Sequence, residues 1–272
     1  MRASRLGQIL FGAGFAGLGV LSLLFDDFAM VWQPVPAWVP LRAPLAYASG
    51  LVLLAGGLGM LLRRTARLAT LILAANLLLW LLLLQVPRVL GQPASETSWL
   101  GFAETLSLLV GAWTLFALLA APDRGPWPPL VAGEPGIRLA RFLYGMALPL
   151  IGLSHFTSVR ATASLVPAWL PFHVGFAYLI GAGHIAAGLG ILLAVLPRQA
   201  ATAEALMIST FTLLVWLPGV VAEPSSRLQW TALCVSTAIT GAAWAVAGPL
   251  QDQPWGQIGW RPRRAAHAAG FA

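Results

Sequence analysis

Apolar residues fill eight windows of the chain, near 6–25, 42–62, 68–86, 99–121, 139–155, 172–196, 201–222 and 229–249. A helix needs about 20 mostly apolar residues to cross a bilayer. Several stretches, such as Leu77–Leu84, are apolar on every side. The two-residue alternation of a membrane β-barrel is therefore absent. The pattern predicts an all-α polytopic membrane protein of eight transmembrane helices, none of them broken in mid-membrane. Between the windows lie short polar stretches containing arginine, proline or tryptophan.

The pattern also repeats. Residues 35–62 read VPAWVPLRAPLAYASGLVLLAGGLGMLL, and residues 166–193 read VPAWLPFHVGFAYLIGAGHIAAGLGILL. They align without gaps at an offset of 131, with about half the positions identical. The same offset pairs Arg67 with Arg198, Pro87 with Pro218, Trp99 with Trp230 and Trp113 with Trp244. Tryptophan, proline and arginine seldom fall into register between unrelated apolar stretches. The expected organisation is a tandem duplication: a four-helix repeat over 1–121, a Pro/Gly-rich linker over 122–137, a second four-helix repeat over 138–249, and a basic, poorly ordered tail over 250–272. Four spans per copy make the copies parallel, forming two similar four-helix bundles related by an axis along the membrane normal.

Composition narrows the class. The chain has 272 residues, 58% hydrophobic and 9% charged, with one cysteine. Soluble domains carry roughly 25% charged residues, so an ordinary cytosolic enzyme is excluded. One cysteine excludes an internal disulfide and a CxxC redox pair. The net charge of +7 comes from arginine alone. Those arginines sit between apolar runs instead of on one face, which argues against a nucleic-acid partner. Twelve fall on one side of an eight-span path, and Arg42, Arg88, Arg160 and Arg227 on the other. The positive-inside rule then places both termini on the cytoplasmic side of the membrane. The first span has an internal counterpart at 139–155, which argues against a cleaved signal peptide.

After the first span of each copy comes a segment ending in Pro-Ala-Trp-x-Pro: Pro36, Trp38 and Pro40, then Pro167, Trp169 and Pro171. Proline fixes φ and removes a donor, so these segments read as non-helical hooks at the outer interface. Glycines follow in the next span, at Gly50, Gly57 and Gly59 and at Gly181, Gly188 and Gly190, and then Arg67 or Arg198 in the turn. Hook, glycine-bearing span and arginine turn together resemble the DoxX-like family of small bacterial membrane proteins. The resemblance covers most of the chain, once per copy. It implies a four-helix unit in the inner membrane and association with redox or respiratory partners, usually without assigned activity. The family's acidic residue in the second span is replaced by Leu53 in one copy and His184 in the other.

Few residues could carry chemistry. His184 is midway along the sixth window, and an ionisable side chain inside a membrane is a functional candidate by default. Serine and threonine on the seventh and eighth windows are its expected partners. It reads as a hydrogen-bonded core residue, a proton carrier or a quinone ligand. Glu104 lies one turn inside the fourth window, where it could snorkel or pair with Arg88 or Arg42. Glu204 opens the seventh window and could pair with Arg198. His155 and His173 flank the second hook without a third metal ligand near them. No metal and no evident cofactor follow, and a quinone is the one cofactor the polar residues leave open. The expected partners are the lipid bilayer and a redox membrane or periplasmic protein. The functional expectation is a non-catalytic subunit of a membrane redox complex. Its alternatives are a quinone-handling oxidoreductase and a small-molecule or ion carrier using the groove between the repeats.

Overall fold

The computed structural model describes residues 2–120, 127–128 and 130–259, without the side chains of Arg2 and Ala3. Arg124, Arg261, Arg263 and Arg264, counted above for orientation, lie outside the described residues. Eight helices are long and apolar enough to cross a membrane. They are α1 (Arg2–Leu24), α2 (Arg42–Leu61), α3 (Ala66–Gly91), α4 (Glu96–Leu119), α5 (Gly133–Thr157), α6 (His173–Leu192), α7 (Pro197–Ala222) and α8 (Arg227–Ala247). Among the described residues there is no strand, only an isolated bridge between Val195 and Ile258.

Several helices run past the apolar windows, because a helix needs backbone hydrogen bonds and not apolarity to continue. Helix α5 begins at Gly133, so the last residues of the expected linker are helical. Pro135 is tolerated there, in the first turn. Helices α3 and α7 each contain a π turn, at Leu81–Gln85 and Thr212–Trp216. The Val86 N–H donates to the Leu81 carbonyl, and the Leu217 N–H to the Thr212 carbonyl. Pro87 and Pro218 follow immediately. A proline inside a helix removes one donor, and the wider turn takes up the misfit without ending the helix. The spans expected to be regular are thus locally expanded.

Two ends of the bundle can be told apart. The hook end carries residues 25–41 and 158–172, and the turn end carries 62–65 and 193–196. Both Pro-Ala-Trp-x-Pro motifs form turns closed by a bond to the first proline, Val39 N–H to Pro36 O and Leu170 N–H to Pro167 O. Trp38 and Trp169 are 81% and 71% exposed. Leu41 and Phe172, which precede α2 and α6, both have left-handed backbone. The second hook departs from the expected irregular segment, since Val159–Ser164 forms a short helix. At the first hook, Asp27 holds Arg42 at 2.6 Å and Arg227 at 3.6 Å, and Arg227 also donates to the Phe28 carbonyl. This cluster ties the hook to the start of α8.

Glycines set the helix contacts. A Cβ on Gly12 would meet the Gly57 carbonyl at 2.8 Å, and one on Gly50 would meet Ser22 Cβ at 3.0 Å. Across α5 and α6, a Cβ on Gly152 would meet the Gly181 carbonyl at 2.6 Å, and one on Gly188 the Gly145 carbonyl at 2.9 Å. Small residues allow this approach where lipid offers no hydrophobic drive to associate. Helix α1 packs along α2 and α8, α5 along α6 and α4, and α4 along α8. The first helix of each half therefore rests on the last helix of the other.

The expectation of a poorly ordered tail is corrected for residues 251–259. The Leu196 N–H donates to Gln257 O and the Gly259 N–H to Ala194 O, both at 2.9 Å. Arg198 donates to Gln253 O at 3.1 Å and stacks 4.2 Å over the Trp255 ring. Backbone groups of the α6–α7 turn and the Arg198 side chain supply partners that composition alone did not reveal. Residues 260–272 lie outside the described residues.

Candidate functional site

A cavity of about 570 Å³ opens in the second half of the bundle, toward the hook end. Its walls are mainly apolar: Phe176, Leu179 and Ile180 from α6, Phe211, Leu214 and Trp216 from α7, and Val235 and Ile239 from α8. Leu165, Pro167 and Leu170 of the second hook cover it. The π turn of α7 contributes Leu214, Val215 and Trp216 to one wall. The first half contributes Trp32 and, from α4, Leu100 and Glu104.

The three candidate residues, His184, Glu104 and His155, all line this cavity. The His155 and His184 rings are 5.1 Å apart between centroids. Gly181 makes that proximity feasible, since a Cβ there would sit 2.8 Å from His155 Cβ. His173 starts α6 at the hook end and has no part in the pair. His155 Nδ1 lies 2.9 Å from the Ile151 carbonyl, which can only accept. That places a proton on Nδ1 and a lone pair on Nε2.

His184 is buried, and its partner is not the one expected. Nδ1 lies 3.0 and 3.1 Å from the two carboxylate oxygens of Glu204, and both residues are 1% exposed. The serines and threonines of α7 and α8 bond one another and the neighbouring helix instead. Thr212 Oγ1 is 2.8 Å from Ser236 Oγ and 2.9 Å from Thr240 Oγ1, and Trp244 Nε1 donates to Ser209 Oγ. Glu204 correspondingly does not pair with Arg198, which is occupied by the tail. It sits seven residues beyond Pro197, on the helix face that turns inward. An ionised carboxylate only accepts, so Nδ1 of His184 donates and Nε2 carries the lone pair. Among the described residues, neither histidine has a hydrogen-bond partner at Nε2.

Glu104 pairs with neither arginine proposed for it. Trp32 Nε1 donates to its Oε2 at 2.7 Å. Arg42 is held by Asp27, and Arg88 reaches Thr97. A charge at this depth takes the nearest donor that can be buried with it, and the first hook delivers an indole.

None of the glycines and arginines of the aligned segments lines the cavity. Gly59 and Gly190 face Ala69 and Ala200, and Arg67 and Arg198 lie in the first turns of α3 and α7. Glu204 and Trp32 were not read from the sequence as site residues. The available signal for Glu204 was an acid inside a long helix whose other face is lipid-like. Trp32 offered none.

At the aligned positions of the first half the side chains are apolar or small. Leu53 stands for His184 and Leu73 for Glu204, both 0% exposed. Ser22 faces Gly50 as His155 faces Gly181. The polar-lined cavity belongs to the second half.

Among the described residues, no group of three or more His, Cys, Asp or Glu side chains is placed to hold a metal ion. The chain matches no protein-family model, no curated protein and no solved structure.

Proposed function

We infer that this is a multi-pass protein of a bacterial inner membrane that binds a lipophilic small molecule of the quinone class and serves as a non-catalytic partner in a membrane redox system. The observation that carries this reading is the cavity. Its volume of about 570 Å³ suits small-molecule sites, which run from about 300 to 1,000 Å³ and combine apolar walls with a few placed polar groups. His184, His155 and Glu104 are those groups. A ring with a polar oxygen would meet the imidazoles, and an alkyl tail the leucine and phenylalanine walls. The DoxX-like resemblance points to the same redox setting.

The reading includes a tandem duplication with both termini on the cytoplasmic face. Support comes from backbone features recurring 131 residues apart: left-handed Leu41 and Phe172, π turns at Leu81–Gln85 and Thr212–Trp216, and indole bonds from Trp99 to Pro93 and Trp230 to Pro224. The packing of α1 on α8 and of α5 on α4 is what a two-fold axis along the membrane normal would generate.

The test uses the cavity tryptophans. Trp32 and Trp216 line it, and quinones quench indole fluorescence. A short-chain alkyl benzoquinone added to the purified protein in detergent should quench saturably. Ile180→Trp, which puts an indole into the cavity wall, should weaken the saturable part. Linear, unsaturable quenching in the unmodified protein would refute the site.

A further inference from the structure

Beneath the cavity floor, other polar groups continue toward the turn end. Along α6, His184 is the lining residue nearest that end, as Ile151 is on α5 and Met207 on α7. Glu204 lies a further turn along α7. Tyr144, on α5, is 1% exposed with no hydrogen-bond partner for its hydroxyl. Arg141, one turn farther on α5, is 8% exposed. The order from cavity to turn end is His184, Glu204, Tyr144, Arg141.

The first half shows that the fold does not require this column. The α1–α2 and α5–α6 glycine pairs, Gly12 with Gly57 and Gly145 with Gly188, put the first helices in register at an offset of 133. Phe11 and Gln8 then stand for Tyr144 and Arg141, and Leu53 and Leu73 for the His–Glu pair. Phe11, Leu53 and Leu73 are all 0% exposed. Buried polar groups are costly in hydrocarbon, and an apolar version of the same packing exists in the same chain. The hydrogen-bonded His184–Glu204 pair is an arrangement that can hold an added proton.

We propose that the His184–Glu204 pair couples the cavity to proton uptake, so that a carbonyl-headed ligand draws a proton into the site when it binds. This rests on the reading of the cavity as a ligand site. With Nδ1 donating to Glu204, His184 presents a lone pair at Nε2. A ligand hydroxyl can donate to that lone pair with no change in protonation. A ligand carbonyl has only lone pairs of its own and needs a donor. His184 supplies one by taking a proton at Nε2, and the imidazolium is held by the Glu204 carboxylate at Nδ1. One proton leaves the solution and one N–H bond forms, with no electron transferred. The other ionisable groups facing the pair are His155, Tyr144 and Arg141 on α5 and Glu104 on α4. Cys234 of α8 packs against Gly17 of α1. Protonation favours carbonyl binding, so affinity for a quinone falls as pH rises. The limit for one linked proton is about tenfold per pH unit.

The experiment is titration calorimetry of the full chain in detergent with a decyl benzoquinone and the corresponding hydroquinone. Each is run at one pH in two buffers of different ionisation enthalpy. The expected result is proton uptake with the quinone and none with the hydroquinone. Glu204→Gln should still bind the quinone, without uptake and without pH dependence. Quinone heats that agree between buffers would overturn the proton coupling and leave the cavity site standing, as would uptake retained in Glu204→Gln. No binding heat for either probe would remove the site reading and this inference with it. His184→Leu/Glu204→Leu, which reproduces the Leu53 and Leu73 pair, guards against misfolding of the Gln variant: it should bind the quinone more weakly, without proton exchange, and uptake in that variant would also overturn the proposal.

Discussion

Replacing Glu204 alone by leucine should destabilise the protein more than replacing Glu204 and His184 together. In Glu204→Leu the His184 Nδ1 loses its partner at a site 1% exposed. A buried polar group left unsatisfied costs about 1–3 kcal/mol. His184→Leu strands the carboxylate instead, and breaking a buried pair from one side costs about 3–5 kcal/mol. The double replacement removes both polar groups. It recreates a pairing the chain already packs, since Leu53 and Leu73 occupy the equivalent positions at 0% exposure. Swapping both partners of a buried pair for apolar groups is often neutral or stabilising. The coupling should therefore be at least about 4 kcal/mol, with the double variant close to the unmodified protein. The competing expectation is an ordinary intramembrane hydrogen bond, worth about 0.6 kcal/mol on average. Reversible unfolding of all four proteins in mixed micelles, at one fixed pH, measures the cycle. Additive losses, or a double variant worse than either single one, would refute the account of the pair.

Other outcomes follow from the packing. Gly152→Leu places a side chain where a Cβ alone would meet the Gly181 carbonyl at 2.6 Å. It should cost about 1–3 kcal/mol or more by overpacking, read as a lower unfolding midpoint, whereas Gly91→Leu, with open space around it, should cost far less. Truncation after Leu250 removes the Gln253, Trp255 and Gln257 contacts with the α6–α7 turn. It should speed proteolysis at residues 193–199, and unchanged cleavage there would show that the tail does not hold the turn. Asp27→Asn weakens the link to Arg42 and Arg227 and should raise the labelling rate of a cysteine placed at Met30. Reporter tags at either terminus or within 122–126 should read cytoplasmic, and one at Glu223–Arg227 periplasmic; opposite readings for the two termini would break the eight-span path.

The class of the protein was written in local composition. Eight apolar windows, their flanking arginines and the doubled Pro-Ala-Trp-x-Pro needed only counting, because a span is decided by the transfer of its own residues into lipid. Helix ends were less legible. Backbone bonds carried α5 back to Gly133, and π turns carried α3 and α7 up to and past Pro87 and Pro218. The site divided in the same way. His184, Glu104 and His155 stood out as polar residues in apolar runs, and they do line one cavity. Their partners were not readable. His184 turns to Glu204, 20 residues on, because Gly152 and Gly181 bring α5 against α6 while the hydroxyls of α7 and α8 satisfy one another. Glu104 turns to Trp32, 72 residues away, because α4 faces the seam between the halves, where the first hook reaches in. Which atoms meet across a bundle depends on helix rotation and separation, and those are set by close packing over the whole molecule, beyond the reach of any single window of sequence.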